Sequence, residues 1–288
     1  MLKKIYFLAV LILWSCSDKV SMQEFDSAEI IKTIVLPKKI NETSGLEFYA
    51  KNFITHNDSG DGPSLYIFNE NGDLIETMDL NKDSSFEIEN NDWEDIAGDD
   101  KYLFVADTGN NFGNRDNLNI IRISKDDNYS VDGIMEVFYA DQETFFPRPK
   151  HKYDAEALIV INEQLVLFSK DRENLNTDLY LVDKFEKKPQ KLTSGFTFNV
   201  NSLITGGDYN NELNLLALVG YSSKGSQYLI LFETFDLKNL EENTFKKYKI
   251  PLERAQIESI KIIDKNTFWV TSEDEGIGNP FMYKLKVN

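Results

Sequence analysis

Short apolar runs separated by turn residues dominate this chain, and they predict strands. Residues 102–106 read YLFVA, residues 165–168 read LVLF, and each run ends at Asp, Asn, Gly or other polar residues. Such runs are typical of antiparallel strands that enter turns. Almost no segment has the spacing of a convincing amphipathic helix, and no Pro/Ser-rich linker divides residues 28–288. The pattern favours a single all-β domain.

One unit recurs five times along this domain, and each copy opens with a segment that carries an acidic residue. The five acidic residues are Glu47, Glu94, Glu156, Asp208 and Glu258, at intervals of 47, 62, 52 and 50 residues. Intervals of this length are typical of β-propeller blades. The sequence therefore predicts a β-propeller of five four-stranded blades. Six blades remain an alternative because of the 62-residue interval, and a two-sheet sandwich would not explain the repeated acidic residue.

The fifth unit ends after its third strand, so its fourth strand must come from elsewhere. The other units have fourth strands near residues 74–80, 134–140, 190–196 and 245–250. Residues 30–36, IIKTIVL, form an apolar run at the start of the domain. We expect this N-terminal strand to complete the fifth blade and close the ring, which removes an exposed sheet edge.

The first sixteen residues, MLKKIYFLAVLILWSC, have the order of a secretory signal. Their apolar run of ten residues is too short to span a bilayer. The segment LWSC at residues 13–16 resembles the lipobox of bacterial lipoproteins, although Trp14 departs from the usual residue. The resemblance implies that Cys16, the only cysteine, is acylated, as with palmitate. An ordinary signal or an uncleaved anchor with an incidental cysteine is the alternative.

This interpretation divides the chain into a signal peptide at residues 1–15, a lipidated tether at residues 16–27 and a propeller at residues 28–288. Lipidation would also consume a thiol that is a liability in an oxidising compartment. The expected location is the bacterial cell envelope, with the protein attached to the membrane through its lipid. Ser17 after the cysteine favours the outer membrane, by resemblance to lipoproteins.

The charge of the chain narrows its partners. A net charge of −17 disfavours nucleic acid, which requires a basic surface, and it favours cations or cationic partners. Solubility alone is the other explanation for much of this charge. The only two histidines, His56 and His151, form no close ligand pair, which disfavours zinc.

The first strand of each propeller blade lines the central channel, so the five repeated acidic residues are expected to converge there. Crowded carboxylates repel one another, and raised pKa values or a bound cation relieve this repulsion. Oxygen ligands suit a hard ion such as Ca²⁺. Caps on backbone amides or ion pairs with Lys and Arg are the alternative role. Loops at the channel mouth add five candidate ligand-binding residues, which are Asp58, Asn111, Arg115, Lys170 and Glu273.

Several segments together resemble a known group of proteins. They are SGLE at 44–47, NDSG at 57–60, WEDIA at 93–97, DTGNN at 107–111, DAEAL at 154–158 and QIE at 256–258. With them, residues 28–288 look like uncharacterised bacterial envelope propellers, which are similar to phytase-like and gluconolactonase-like propellers. The resemblance implies channel carboxylates around a divalent ion. The chain departs from the phytase-like pattern because its mouth lacks a Lys/Arg cluster.

Two functions remain open from the sequence. The favoured one is a monomeric binding module whose propeller face captures a small molecule, a glycan or an envelope protein. The alternative is a Ca²⁺-dependent hydrolase of phosphate esters or lactones, in which Asp107 or Glu94 is the candidate catalytic residue. No Gly-x-Ser-x-Gly elbow, P-loop or Rossmann motif is present, so nucleophilic serine catalysis has no support.

Overall fold

The computed structural model describes residues 26–82, 84–252, 255–274 and 278–288. The predicted signal peptide, Cys16 and most of the predicted tether lie outside the described residues. The described chain is almost entirely strands and turns, with two single 3-10 turns at Lys38–Ile40 and Leu240–Glu242. None of the helical segments in these ranges is long and apolar enough to cross a membrane.

The strands follow one another in blades. Two N-terminal strands, β1 (Asp26–Ser27) and β2 (Glu29–Val35), precede blade 1, which consists of β3 (Thr43–Tyr49), β4 (Asn52–Asn57), β5 (Ser64–Phe68) and β6 (Leu74–Asp79). Blade 2 contains β7 (Asp95–Gly98), β8 (Tyr102–Asp107), β9 (Asn119–Ser124) and β10 (Ser130–Tyr139). Blade 3 contains β11 (Ala155–Ile161), β12 (Gln164–Ser169) and β13 (Thr177–Asp183), followed by β14 (Gln190–Leu192) and β15 (Phe196–Phe198). Blade 4 contains β16 (Leu203–Asn210), β17 (Leu215–Tyr221), β18 (Gln227–Phe232) and β19 (Lys246–Ile250), and blade 5 contains β20 (Ile257–Asp264), β21 (Thr267–Ser272) and β22 (Phe281–Lys286).

The prediction of a β-propeller with five four-stranded blades is confirmed. Its predicted closure is also present, because β2 pairs antiparallel with β22 and becomes the fourth strand of blade 5. The inner strands β3, β7, β11, β16 and β20 contact one another in ring order. Five hydrophobic clusters fill the spaces between the five pairs of neighbouring blades. The core is therefore a ring of five inter-blade layers around a central channel.

Two short strands extend blades beyond the four-strand pattern. β1 pairs in parallel with β19, so Asp26 and Ser27, at the end of the predicted tether, lie in blade 4. β14 pairs in parallel with β10 of blade 2, whereas β15 is the fourth strand of blade 3. The expected fourth strand at 190–196 is thus divided between two blades. Leu192 packs in the layer between blades 2 and 3. The alternation of apolar and polar residues along the chain does not specify which blade such a strand joins.

Close approach of the inner strands depends on glycine at two positions. A Cβ at Gly45, whose φ is +68°, would lie 2.6 Å from the backbone nitrogen of Ile96 in blade 2. A Cβ at Gly206 would lie 2.8 Å from the carbonyl oxygen of Glu258 in blade 5. These distances are well inside van der Waals contact, so the narrow channel requires residues without side chains at these points.

Candidate metal centre

The five predicted channel carboxylates fall into two groups at different depths. Glu47 and Asp208 lie toward the β3–β4 and β16–β17 hairpins, and Lys261 Nζ pairs with both, at 2.7 Å from Glu47 and 2.9 Å from Asp208. Glu94, Glu156 and Glu258 lie at the opposite ends of their strands, where the chain enters β7, β11 and β20. Lys261 supplies one positive charge to Glu47 and Asp208, the two carboxylates of the Lys261 group. The other group is the one that faces the channel mouth.

A dense set of carboxylates lies at this mouth, and we call it the mouth cluster: Asp58, Asp92, Glu94, Asp154 and Glu156. One set of ligand atoms, from Asp58, Asp92 and Glu94, lies within 4.8 Å of one another, and so does a second set from Glu94, Asp154 and Glu156. Glu94 belongs to both sets and is only 4% exposed. The cluster therefore centres on Glu94.

The five repeated units of the sequence did not predict Asp92 and Asp154 as site residues. Each stands two residues before a glutamate of the cluster, immediately ahead of an inner strand. The motifs DWE at 92–94 and DAE at 154–156 both have an aspartate two residues before the glutamate. This shared spacing is the sequence feature that could have identified the two aspartates as site residues.

Two cations compensate one side of the mouth cluster. Lys170 Nζ lies 2.5 Å from Glu156 Oε2, and Arg172 Nη2 lies 2.8 Å from Asp154 Oδ2 and 3.2 Å from Glu156 Oε1. Lys170 was a predicted ligand-binding residue, whereas Arg172 was not predicted. Five carboxylates thus face two cations, and both cations lie on the Asp154–Glu156 side. Negative charge concentrates on the remaining three carboxylates.

The pKa values in the cluster follow from this crowding. Burial and the neighbouring charge of Asp92 raise the pKa of Asp58 to about 9. Burial, then the charge of Asp154, raises the pKa of Asp92, and burial together with Glu156 raises the pKa of Glu94 well above its usual range. Burial also raises the pKa of Glu156 well above its usual range despite the nearby Lys170. These are carboxylates that must hold protons or share a cation.

The space between these carboxylates is provided by a glycine. A Cβ on Gly109 would overlap Glu94 Oε1 and would lie 2.5 Å from Asp92 Cγ. On the other side, Asp58 Oδ1 is buried and has no hydrogen-bond partner among the described residues. Asp58 Oδ1 thus lacks a donor, and the absence of a side chain at Gly109 leaves space beside Glu94 and Asp92. Both features fit a cation bound between Asp58, Asp92 and Glu94. All-oxygen donors fit Ca²⁺ rather than zinc.

The WEDIA segment at 93–97 positions the centre through three side chains in succession. Trp93 is fully buried between blades 1 and 2, and its Nε1 donates a hydrogen bond to the Glu89 carbonyl oxygen. Glu94 enters the mouth cluster. Asp95 Oδ2 accepts hydrogen bonds from the backbone nitrogens of Leu158 and Gly207, at 2.8 and 3.1 Å.

The Asp95 carboxylate spans the channel. Leu158 belongs to blade 3 and Gly207 to blade 4, while blade 3 lies between blades 2 and 4 in the ring. Asp95 follows Glu94 of the mouth cluster, and Gly207 precedes Asp208 of the Lys261 group. The bridge therefore lies between the two carboxylate groups.

Asp107, the candidate base, is occupied by structural hydrogen bonds. Its carboxylate accepts from Arg115 Nη2 at 2.8 Å, from Asn91 Nδ2 at 2.9 Å, from Asn119 Nδ2 at 3.2 Å and from the Asp92 backbone nitrogen at 3.1 Å. These four donors, one of which is the ion-paired Arg115, leave it poorly suited to accept a substrate proton. Its role is to hold the backbone of Asp92 beside the cluster.

The other predicted ligand-binding residues surround the cluster at different distances. Asn111 accepts a hydrogen bond of 2.5 Å from Arg172 Nη2 through its Oδ1. Arg115 is tied to Asp107 and to the Gly109 carbonyl oxygen. The charges of Glu258 and Glu273 contribute to the raised pKa of Asp58, so both glutamates lie near the mouth.

An aromatic rim flanks the mouth beside these residues. Phe112, Phe145 and Phe146 are 58, 45 and 79% exposed, and the Arg148 backbone nitrogen donates to the Phe112 carbonyl oxygen at 2.8 Å. The two loops that carry these rings are thereby joined. Exposed apolar rings next to a polar centre are typical of a surface that contacts a ligand or partner.

No protein-family model matches the sequence, and no curated protein matches it. Among solved structures, an exo-β-1,3-galactanase from Clostridium thermocellum is similar with a TM-score of 0.56 and 12% identity, over 85% of this chain and 58% of that chain. A β-1,3-galactosidase of glycoside hydrolase family 43, determined with galactodeoxynojirimycin, has a TM-score of 0.49 and 10% identity over 90 and 94% of the two chains. A glucose dehydrogenase has a TM-score of 0.47 and 9% identity over 91 and 99%. At these identities the likeness extends to the fold alone.

Proposed function

We propose that this protein is a lipid-anchored envelope propeller that binds a divalent cation of the Ca²⁺ type in its mouth cluster and uses the surrounding face to bind a ligand. The mouth cluster itself carries the proposal. Five carboxylates face two cations around Glu94, and a buried acceptor, Asp58 Oδ1, has no donor among the described residues. A cation would supply the charge that this arrangement lacks and would offer a Lewis-acid contact to a ligand oxygen.

The residues of this chain then have distinct tasks. Lys170 and Arg172 hold Glu156 and Asp154 in fixed positions through charge-assisted hydrogen bonds. Gly109 leaves room for Glu94 and Asp92 to approach each other. Asp58 is partly exposed and is a member through which the site meets solvent.

Binding is favoured over hydrolysis because the candidate base is already occupied. Asp107 accepts four hydrogen bonds, and one of its donors is Arg115 in an ion pair of 2.8 Å. The aromatic rim supports a ligand surface at the same mouth. Attachment through Cys16 to the envelope, with a small molecule, a glycan or an envelope protein as the captured partner, completes the proposed role.

The cation is tested by thermal melting of the soluble domain after treatment with EDTA and after addition of Ca²⁺. A ligand present at 100 times its Kd stabilises the folded state by about 2.7 kcal/mol, which corresponds to an increase in Tm of roughly 5 °C or more for a domain of this size. Glu94→Gln should abolish the increase, because Glu94 belongs to both sets of ligand atoms. The matched change Glu241→Gln, at an exposed glutamate of blade 4, should retain it. An equal Tm with EDTA and with Ca²⁺ would refute the proposal.

The same melting series has an expected pH dependence. The folded-state pKa of Asp58 is raised from 3.8 to about 9, so between these values the folded protein without cation binds a proton that the unfolded chain does not. Its contribution to stability is present below about pH 4 and is lost as pH rises toward 9. Ca²⁺ must displace such protons, so the Ca²⁺-induced increase in Tm should be larger at pH 8 than at pH 5. A larger increase at pH 5 would contradict this account of the cluster.

A further inference from the structure

A groove on the outer side of blade 2 is separate from the mouth cluster. Its volume is about 540 Å³, and it lies between the segment that links blades 1 and 2 and the strands β9 and β10. Ile88, Leu118, Ile121, Ile134 and Val137 form an apolar floor, and Phe138, which is 43% exposed, borders it. Its size is in the range of ligand-binding clefts, and its lining combines this apolar floor with polar and charged side chains.

The rim of this groove carries one sign of charge. Glu87, Glu89, Asp116 and Glu136 are all exposed carboxylates, and among the described residues that line the groove none is Lys or Arg. None of the four is in an ion pair with a described residue. The fifth carboxylate, Asp107, is neutralised by Arg115. A cationic occupant with apolar groups would complement both the rim and the floor.

A strand edge forms part of the same wall. β10 contributes Ile134, Glu136, Val137 and Phe138 to the lining, and so does Pro189, the residue before β14. The groove therefore reaches the outer edge of β10 where β14 begins, and Ile134 and Glu136 are the residues of the stretch 130–136 that line it. β14 pairs in parallel with this edge only at Val137–Tyr139. Along residues 130–136, no strand in the described part of the chain pairs on that side. β14 therefore covers only the end of this edge, and the rest of the edge is open to another strand.

We propose that the blade 2 groove binds an extended, basic segment of another protein, which adds a strand to β10 at residues 130–136. Its lysine or arginine side chains pair with Glu87, Glu89, Asp116 and Glu136, and its alternate aliphatic side chains enter the apolar floor. Strand addition supplies backbone hydrogen bonds, and the pockets and charges select the sequence. A small organic cation would use the rim and leave the strand edge unused.

The test uses the soluble domain and a fluorescein-labelled heptapeptide of alternating lysine and valine, with binding followed by fluorescence anisotropy. Glu87→Lys combined with Glu136→Lys should weaken binding at least ~10-fold through charge reversal at the rim. Glu241→Lys combined with Glu242→Lys makes the same change in net charge at exposed residues of blade 4 and should change Kd less than ~2-fold. Melting curves check that both variants remain folded.

A second peptide separates strand addition from simple charge attraction. The same heptapeptide with N-methyl groups on alternate backbone nitrogens keeps its charges and cannot form the added strand, so it should bind at least ~10-fold more weakly. Three results would each overturn the proposal: no binding of the unmodified peptide, equal weakening by the two double variants, or unchanged binding of the methylated peptide.

Discussion

Replacing Asp95 with alanine is expected to lower the free energy of unfolding by about 3–5 kcal/mol. The Asp95 carboxylate is 1% exposed and accepts hydrogen bonds from the backbone nitrogens of Ile96, Leu158 and Gly207. Its removal leaves three buried N–H donors without partners, each at a cost of about 1–3 kcal/mol. The donors belong to blades 2, 3 and 4, so one side chain joins three of the five blades at the channel.

Chemical denaturation of the variant and of the parent domain measures this loss. Asp100→Ala is the matched control, because Asp100 is an exposed aspartate of the same blade and should change the stability by less than about 0.5 kcal/mol. If Asp95→Ala were as stable as this control, Asp95 would not be the bridge across the channel that its contacts indicate.

Gly109→Ala is expected to lower the affinity of the mouth cluster for Ca²⁺ by about 10- to 100-fold, the range found when the supporting shell of a metal site is disturbed. The added Cβ would overlap Glu94 Oε1 and crowd Asp92, and Glu94 is buried, so its carboxylate has little room to move away. The change adds one methyl group and leaves every carboxylate of the cluster in the sequence. It therefore tests geometry separately from charge.

Calorimetric titration with Ca²⁺ measures the affinity of this variant. Gly195→Ala is a suitable control, because its Cβ would meet its neighbours at 3.6 Å or more, in ordinary contact. A Kd for Gly109→Ala equal to that of the control would place the cation away from the space between Glu94 and Asp92.

The sequence predicted the architecture well because each blade repeats the same local pattern of apolar runs, turns and an acidic residue. Acidic residues about fifty positions apart marked the blades, and the apolar run at 30–36 marked the closing strand that pairs with β22. Both features can be seen from the order and spacing of residues along the chain. The division of residues 190–196 between β14 and β15 depends instead on which neighbouring blade buries Leu192, and that is decided by packing.

The candidate site was predicted less completely because depth in the channel depends on where a residue lies along its inner strand. Glu47 is the fifth residue of β3 and Asp208 is the sixth residue of β16, whereas Glu94 immediately precedes β7. The repeat spacing placed Glu47 and Asp208 level with Glu94, but their positions along the strands bring them toward the other end of the channel. Asp92, Asp154 and Arg172 stand in polar loop segments that resemble ordinary turns. Only the folded ring brings them together.

Anomalous diffraction from crystals grown with Mn²⁺ shows whether the mouth cluster holds a divalent cation. Mn²⁺ prefers oxygen ligands, as Ca²⁺ does, and its anomalous signal locates it without assumptions about the fold. We expect a peak within coordination distance of Glu94 and of at least two further carboxylates among Asp58, Asp92, Asp154 and Glu156. Crystals in which Mn²⁺ binds elsewhere on the protein and leaves no peak at Glu94 would contradict this expectation.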